Sequence, residues 1–236
     1  MHPDLIRVAE LPSTMEAAHT MAQDGAVHGT AIVAGRQTLG RGTRGRTWSS
    51  EPGGLWLSVI ARPDRTDALE ALSLRVGLAV SAALELACPP LPRLGLKWPN
   101  DIVVDGRKLA GILCEARWSG GRCLWVVVGL GLNVANTIPP ALRAIAAGLV
   151  AWEPGATPEP LALPVAAAVA LAAREAGPLT TAELNAYAQR DTLAGGRVAE
   201  PVAGTAEGIT AEGALRVRTD GGPIREVLGG VVTATT

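Results

Sequence analysis

"KWPNDIVVDGRKLAGIL", residues 97 to 113, decides the fold. "DIVV" (101–104) and "RKLAGIL" (107–113) read as strands, and Asp105-Gly106 between them has the chemistry of a tight antiparallel turn. Ser119-Gly120-Gly121 then separates "RKLAGILCEAR" (107–117) from "CLWVVVGLGLNV" (123–134), so the spacing predicts an antiparallel meander led in by "LGLKW" (94–98). Asp101 opens one strand and Lys108 sits on the strand paired with it, which brings a carboxylate and an ammonium onto neighbouring strands. Taken singly, Asp101 reads as a turn former and Lys108 as a solvated edge charge. Their surroundings argue for more. Pro99 fixes a turn, Asn100 can read a polar ligand edge, and Gly111 lets a ligand lie close to its strand. Gly129, Gly131 and Asn133 repeat that theme on the next strand.

Working outward from the meander, "DALEALSLRVGLAVSAALELA" (67–87) has helical periodicity and stops before Pro89-Pro90. "LIRVAEL" (5–11) alternates like a strand. A helix over 13–22 follows, with Ser13 as N-cap and Glu16 at the spacing of a capping box, and its start is a candidate site for an anion or polar ligand. "GTAIVAGRQ" (29–37) and "GGLWLSVIAR" (53–62) read as strands. Downstream, "PLALPVAAAVALAAREAG" (160–177) and "TAELNAYAQR" (181–190) read as helices, the second again led by a threonine with an acid three positions on. From about residue 191 the texture changes to short strands broken by glycine. These elements predict an α+β fold over 1–190 with a small β-barrel over 191–236.

With 236 residues, 48% of them apolar, the chain can bury a sizeable core, and its net charge of −1 provides no global field toward nucleic acid or anionic membrane. Charge is instead local. "GRQTLGRGTRGRTW" (35–48) places Arg36, Arg41, Arg44 and Arg46 around Gly40, Gly42 and Gly45 and stops at Trp48. Such a loop is either a solvated linker or a cradle for phosphate and carboxylate. Trp48, which can stack on a nucleobase, favours the cradle. The loop lacks the Gly-Lys-Ser/Thr of a P-loop, and "GLGLNV" lacks the third glycine of a dinucleotide fingerprint. Cys88, Cys114 and Cys123 have no CxxC spacing, and His2, His19 and His28 form no ligand set with them, so no protein metal site is expected. The cysteines, the missing secretory signal and the absence of a bilayer-long apolar stretch point to a cytoplasmic protein without a membrane partner.

"GRGTRGRTW", "KWPNDI", "RKLAGIL" and "GLGLNV", in this order and at these spacings, resemble biotin protein ligases, and the similarity runs from about Leu5 into the C-terminal barrel. The resemblance implies a mixed, largely antiparallel sheet backed by helices, and a barrel that is SH3-like. It implies a reaction in which biotin and ATP, with Mg2+, give biotinyl-5′-adenylate and pyrophosphate. The biotinyl group then passes to a lysine of the carrier protein or domain of a biotin-dependent carboxylase. Lys108, Arg41 and Asp101 would be catalytic, Lys108 touching both carboxylate and α-phosphate and Asp101 orienting or deprotonating the carrier lysine. Ser13, Thr14, Met15 and Gln37 would meet the biotin head, Gly111, Leu113 and Gly129 its rings, and Gly40, Arg41, Gly42 and Thr43 its carboxylate side. Arg44, Arg46, Trp48, Lys97, Asn100, Gly131 and Asn133 would hold the nucleotide and magnesium side.

Two positions depart from the family's usual pattern. Thr43 stands where an arginine is usual, and Met15 where an asparagine is usual. The motif around Ser13 begins so early that no room is expected for the N-terminal DNA-binding domain some members carry; a homodimer is expected, and nucleic acid is not. The alternatives are a lipoate or octanoate ligase of the same superfamily and a binding protein that holds biotin without catalysis. A nucleic-acid binder is disfavoured because the basic loop has no interleaved aromatics besides Trp48.

Overall fold

The computed structural model describes residues 4–230 and 232–234; His2 lies outside them. Leu5–Leu11 (β1), Thr14–Gln23 (α1) and Ala31–Gln37 (β2) form a crossover unit in which β1 and β2 run parallel. The chain then returns through the basic loop as Leu55–Ala61 (β3), antiparallel to β2 and buried at every residue. After Leu72–Ala87 (α2) comes the meander of Gly95–Lys97 (β4), Asp101–Val104 (β5), Arg107–Ser119 (β6) and Arg122–Leu132 (β7). Its last strand inserts beside β3, giving the order β1-β2-β3-β7-β6-β5-β4. Among these strands only β1 and β2 pair in parallel, so the sheet is mixed and largely antiparallel, as the resemblance implies.

Alternation on the strands produces two cores. Leu55, Leu57 and Val59 of β3 and Val126, Val128 and Leu130 of β7 pack with α2 and Glu159–Ala172 (α3). On the opposite face Ile60, Trp125 and Val127 pack with Met15, Ala18 and Ala22 of α1. α3 stops earlier than the periodicity of 160–177 predicts, because Arg174 O and Ala176 O accept bonds from Asp64 N and Ala68 N and draw the tail off the helix. Thr181–Ala188 (α4) begins with a full capping box. Thr180 Oγ1 accepts from Glu183 N at 3.2 Å, and the Glu183 carboxylate accepts from Thr180 N at 2.7 Å. The box predicted at Ser13 does not form. Ser13 has N-cap backbone geometry but its side chain makes no cap bond, and the first amide of α1, Thr14 N, donates 2.8 Å to Gln37 Oε1 on β2.

Arg197–Glu200 (β8), Gly204–Ile209 (β9), Leu215–Arg218 (β10), Ile224–Val227 (β11) and Thr233–Ala234 (β12) make a second, antiparallel sheet in the order β11-β10-β9-β8-β12. Its β9–β10 turn rests on the start of α2. Trp98 Nε1 donates to Gly213 O at 2.9 Å, and a Cβ on Gly213, whose φ is +90°, would come within 2.8 Å of Ala71. Cys88, Cys114 and Cys123 are free thiols, and burial pushes that of Cys114 up to about 12. Among the described residues no His/Cys/Asp/Glu cluster could hold a metal, and no helix is long and apolar enough to cross a membrane.

Candidate active site

On the α1 face of the sheet, alternate residues of β7 are Trp125, Val127, Gly129 and Gly131, and β6 sets Leu113 and Gly111 opposite the two glycines. Side chains vanish where the strands would otherwise fill the space, and a cavity of about 300 Å³ opens over them. Two side chains lean into it. Met15 Sδ lies 2.5 Å from where a Cβ on Gly129 would stand, and the Trp48 ring lies 2.6 Å and 2.9 Å from the corresponding points on Gly131 and Gly111. The glycines therefore admit a thioether and an indole that any larger residue would displace.

At the α1 end the cavity is polar. Gln37 Oε1 accepts from Thr14 N and Thr14 Oγ1 (2.8 and 3.0 Å), and Ser58 Oγ donates to Thr14 Oγ1 at 2.8 Å. Gln37 Nε2 donates to Ser50 Oγ at 2.8 Å, which donates in turn to Trp48 O at 3.2 Å. This chain fixes which way the Gln37 amide faces and leaves its second N–H for a ligand acceptor.

Cations gather across the middle. Lys108 Nζ stands 2.6 Å from Asp101 Oδ1 and 4.9 Å from the centre of the Trp48 ring. The basic loop folds on itself, with Trp48 N donating to Gly40 O (2.9 Å), Gly42 N to Arg46 O (2.8 Å), and a tight turn at Thr43–Gly45. Arg46 Nη2 donates to Thr43 Oγ1 at 3.0 Å, and Arg41 Nη2 to Glu115 Oε1 at 2.8 Å. The indole N–H of Trp48 is buried without an acceptor among the described residues. A ligand acceptor there would remove the cost of that orphan donor.

The remaining wall comes from the segment after β7. Lys108 N donates to Ile145 O (2.7 Å) and Ala147 N to Lys108 O (3.0 Å), folding this segment across β6 and laying Ile138, Leu142 and Ile145 along the cavity. Leu142 and Ile145 are 42% and 61% exposed, an apolar ledge suited to the flat face of a base. Asn133 Oδ1 accepts from Asn136 Nδ2 at 3.1 Å, and Asn136 Oδ1 accepts from Val134 N at 3.1 Å, so the two asparagines brace the ledge.

Most residues singled out from sequence line this cavity; Ser13, Gly40, Arg44, Lys97 and Asp101 do not. Ser13 is buried behind Thr14, and its hydroxyl has no partner among the described residues. Gly40 is buried where a Cβ would strike Trp48 O and Ser50 Oγ, so its part is to let the loop close on itself. Arg44 sits at the exposed tip of the loop with φ +60°. Lys97 pairs with Asp101 in the β4–β5 register, and together with Tyr187 they line a separate, much smaller recess. Asp101 touches the cavity-lining Lys108 at its ammonium. Asn100 lines the cavity, and its Nδ2 also donates 2.7 Å to Ile112 O, tying the turn to β6. The sequence reading missed Ser50, Ser58, Glu115, Asn136 and the apolar ledge. Asn136, three residues past Asn133, was the one with a visible signal.

Residues 7–133 match the biotin/lipoate A/B protein ligase family, and residues 196–233 match the biotin protein ligase C-terminal domain. The biotin--[acetyl-CoA-carboxylase] ligase of Paracoccus denitrificans is 44% identical over 129 residues, 54% of this chain and 50% of that protein. The bifunctional ligase/repressor BirA of Bacillus subtilis is 40% identical over 144 residues, 59% of this chain and 44% of that protein. The matched segments thus span about half the length of these curated relatives. The biotin protein ligase of Aquifex aeolicus solved in complex with biotin and ATP superposes with a TM-score of 0.83 at 28% identity, covering 98% of this chain and 99% of that one.

Proposed function

This chain belongs to the biotin/lipoate A/B protein ligase family, and from that premise we propose that it is a biotin protein ligase that makes biotinyl-5′-adenylate and transfers biotin to a carrier lysine. The observation that carries the reading is the placement of Lys108, whose ammonium lies between the Trp48 ring and Asp101 at the junction of the polar α1 end and the apolar ledge. A carboxylate entering from one side and a triphosphate from the other repel each other, and a fixed cation between them offsets that repulsion.

In the first step a biotin carboxylate oxygen bonds to the α-phosphorus of ATP, the bond to the β-phosphate oxygen breaks, and pyrophosphate leaves with its electron pair. Thr14 and Gln37 hold the biotin head, and Gly129, Leu113 and Met15 flank its rings. Arg41 with the Gly42 and Thr43 backbone meets the carboxylate side. Trp48, Arg46, Asn100, Gly131 and Asn133 serve the nucleotide. In the second step the carrier amine attacks the acyl carbon, the C–O bond to AMP breaks, and a proton leaves the amine; Asp101 orients that amine or accepts its proton. Covering the adenylate with the basic loop keeps water from the mixed anhydride.

Mg2+ keeps much of its water and rides on ATP phosphates rather than in an all-protein cage, which suits a cavity whose lining offers neutral amide and hydroxyl oxygens, those of Asn100 and Asn133 on the nucleotide side among them, and, among the described residues, no carboxylate. Bound there it would neutralise phosphate charge. The C-terminal sheet is read as an SH3-like barrel, residues 1–190 as the catalytic unit and 191–236 as the barrel. The protein is proposed to be a cytoplasmic homodimer whose macromolecular substrate is a biotin carboxyl carrier domain.

The test is pyrophosphate release on adding biotin, ATP and Mg2+, followed by biotin transfer to a purified carrier domain. Lys108→Ala should lower release by roughly 10²- to 10³-fold, the range for losing one preorganised donor at a developing charge. Absence of release with the unaltered protein, equal release with lipoate, or full activity in Lys108→Ala would overturn the reading.

A further inference from the structure

Among its contacts with the sheet the basic loop makes one through a side chain at each end, and the ligand-facing groups account for one of these two. At its far end Trp48 lies on the glycine floor beside Lys108. At its near end Arg41 Nη2 donates to Glu115 Oε1 on β6, and the other carboxylate oxygen, Oε2, is 3.3 Å from His19 Nε2 on α1. The second ring nitrogen of His19, Nδ1, accepts from Trp125 Nε1 on β7 at 3.0 Å. An indole N–H only donates, so in this arrangement Nδ1 carries no proton and Nε2–H is the donor turned towards Glu115. Both oxygens of Glu115 are thereby engaged, and the chain Trp125, His19, Glu115, Arg41 ties β7, α1 and β6 to the start of the loop. Trp125 is itself packed under the Arg62 guanidinium, 5.7 Å from the ring centre.

We propose that Glu115, oriented by His19 and Trp125, is a positioning residue that holds Arg41 in the cavity wall so that its remaining N–H donors meet the anionic end of the ligand. The guanidinium is a planar fork of five donors, and Glu115 occupies one nitrogen, which fixes the plane and leaves the others available. Arg41 lines the cavity while paired, so the pair does not withdraw it from the site. With Arg41 and Glu115 side chains 43% and 27% exposed, the ion pair adds little to global stability, and its effect falls on loop order and ligand affinity. The identity of the ligand rests on the ligase reading; the anchoring of the loop does not.

Two measurements on the full chain separate these. Trypsin cleaves after Arg41, Arg44 and Arg46, so the cleavage rate of the ligand-free protein reports how often the loop leaves the sheet. Glu115→Gln should cleave in the loop about fivefold faster and raise the biotin KM for pyrophosphate release about fivefold, with kcat and melting temperature close to the unaltered protein. His19→Ala should act in the same direction. His19→Gln, which keeps an amide donor near the place of Nε2, should restore both readouts towards normal. Unchanged cleavage and KM in Glu115→Gln, or a parallel fall in kcat and melting temperature, would overturn the proposal. A protein that releases no pyrophosphate at all would instead defeat the ligase reading, while the loop cleavage rates would still decide whether Glu115 holds Arg41.

Discussion

Lys108 Nζ and Asp101 Oδ1 are 2.6 Å apart, across the same β5–β6 ladder that pairs Val103 with Lys108. On the proposed reading Asp101 has two partners to serve in turn, the ammonium of Lys108 and then, once the adenylate has formed, the carrier amine. The Asp101→Asn variant keeps the shape and removes the charge. Single-turnover transfer to the carrier should slow roughly 100-fold, the scale of a lost general base, while adenylate formation should fall less than about tenfold, because Lys108 loses an orienting contact but keeps its charge. Equal slowing of both steps would remove Asp101 from the transfer step.

Thr43 accepts both from Arg46 Nη2 and, through its carbonyl, from Arg46 Nε at 3.3 Å, so the turn binds its own arginine. A neutral hydroxyl there would be a weak clamp on an anionic acyl adenylate. Thr43→Arg should slow escape of the adenylate by roughly 10- to 100-fold, the worth of one charge-assisted hydrogen bond. Chasing preformed adenylate and measuring labelling of a bystander protein checks this; indistinguishable escape rates would mean that Arg41 and Arg46 already hold the loop shut.

Met15 and Gly129 share one slot. Because the nearest atom to an added Cβ is the Sδ of a flexible side chain, Gly129→Ala should push Met15 into the cavity rather than strain the strand. The melting temperature should move little and the biotin KM should rise more than about tenfold, the loss of at least 1.4 kcal/mol of ligand contact. A large fall in melting temperature with an unchanged KM would place the strain in the sheet instead.

Glu85 at the end of α2 joins Arg190 Nη1 and Nη2 at 2.6 and 2.8 Å and also accepts from Leu94 N at 2.7 Å. The Arg190 bonds hold its carboxyl below the usual range, against the opposing effect of burial. A depressed carboxyl contributes stability above its unfolded value, about 4.3, and that contribution is lost as pH falls through the lower folded value. Glu85→Gln should therefore lower the melting temperature by roughly 2–4 °C at pH 7, the shift of about 1 kcal/mol in a chain of this size, with the difference shrinking as the pH drops below 4. A difference that persists unchanged to pH 3 would rule out the ion pair as its source.

The sequence by itself determined what depends on neighbours a few residues apart. Asp105 and Gly106 both take left-handed backbone (φ 47° and 73°), so the turn forms where its chemistry says it should and Lys108 follows onto the strand beside Asp101. Period-two alternation put Gly129 and Gly131 on one face, and Thr180 with Glu183 marked the start of α4. Only the tertiary structure decided that β7 inserts beside β3, that Gln37 meets the first amide of α1, and that Lys97 faces a different recess from Lys108. The same holds for Glu115, which looks like any strand acid until α1, β7 and the basic loop converge on it, and for Trp98, whose indole serves the C-terminal sheet. The physical reason is range. Turn geometry and side-chain alternation are settled by backbone sterics within a few bonds, whereas contacts between residues tens of positions apart follow from how whole faces bury together, a sum over the core that no local stretch of sequence contains.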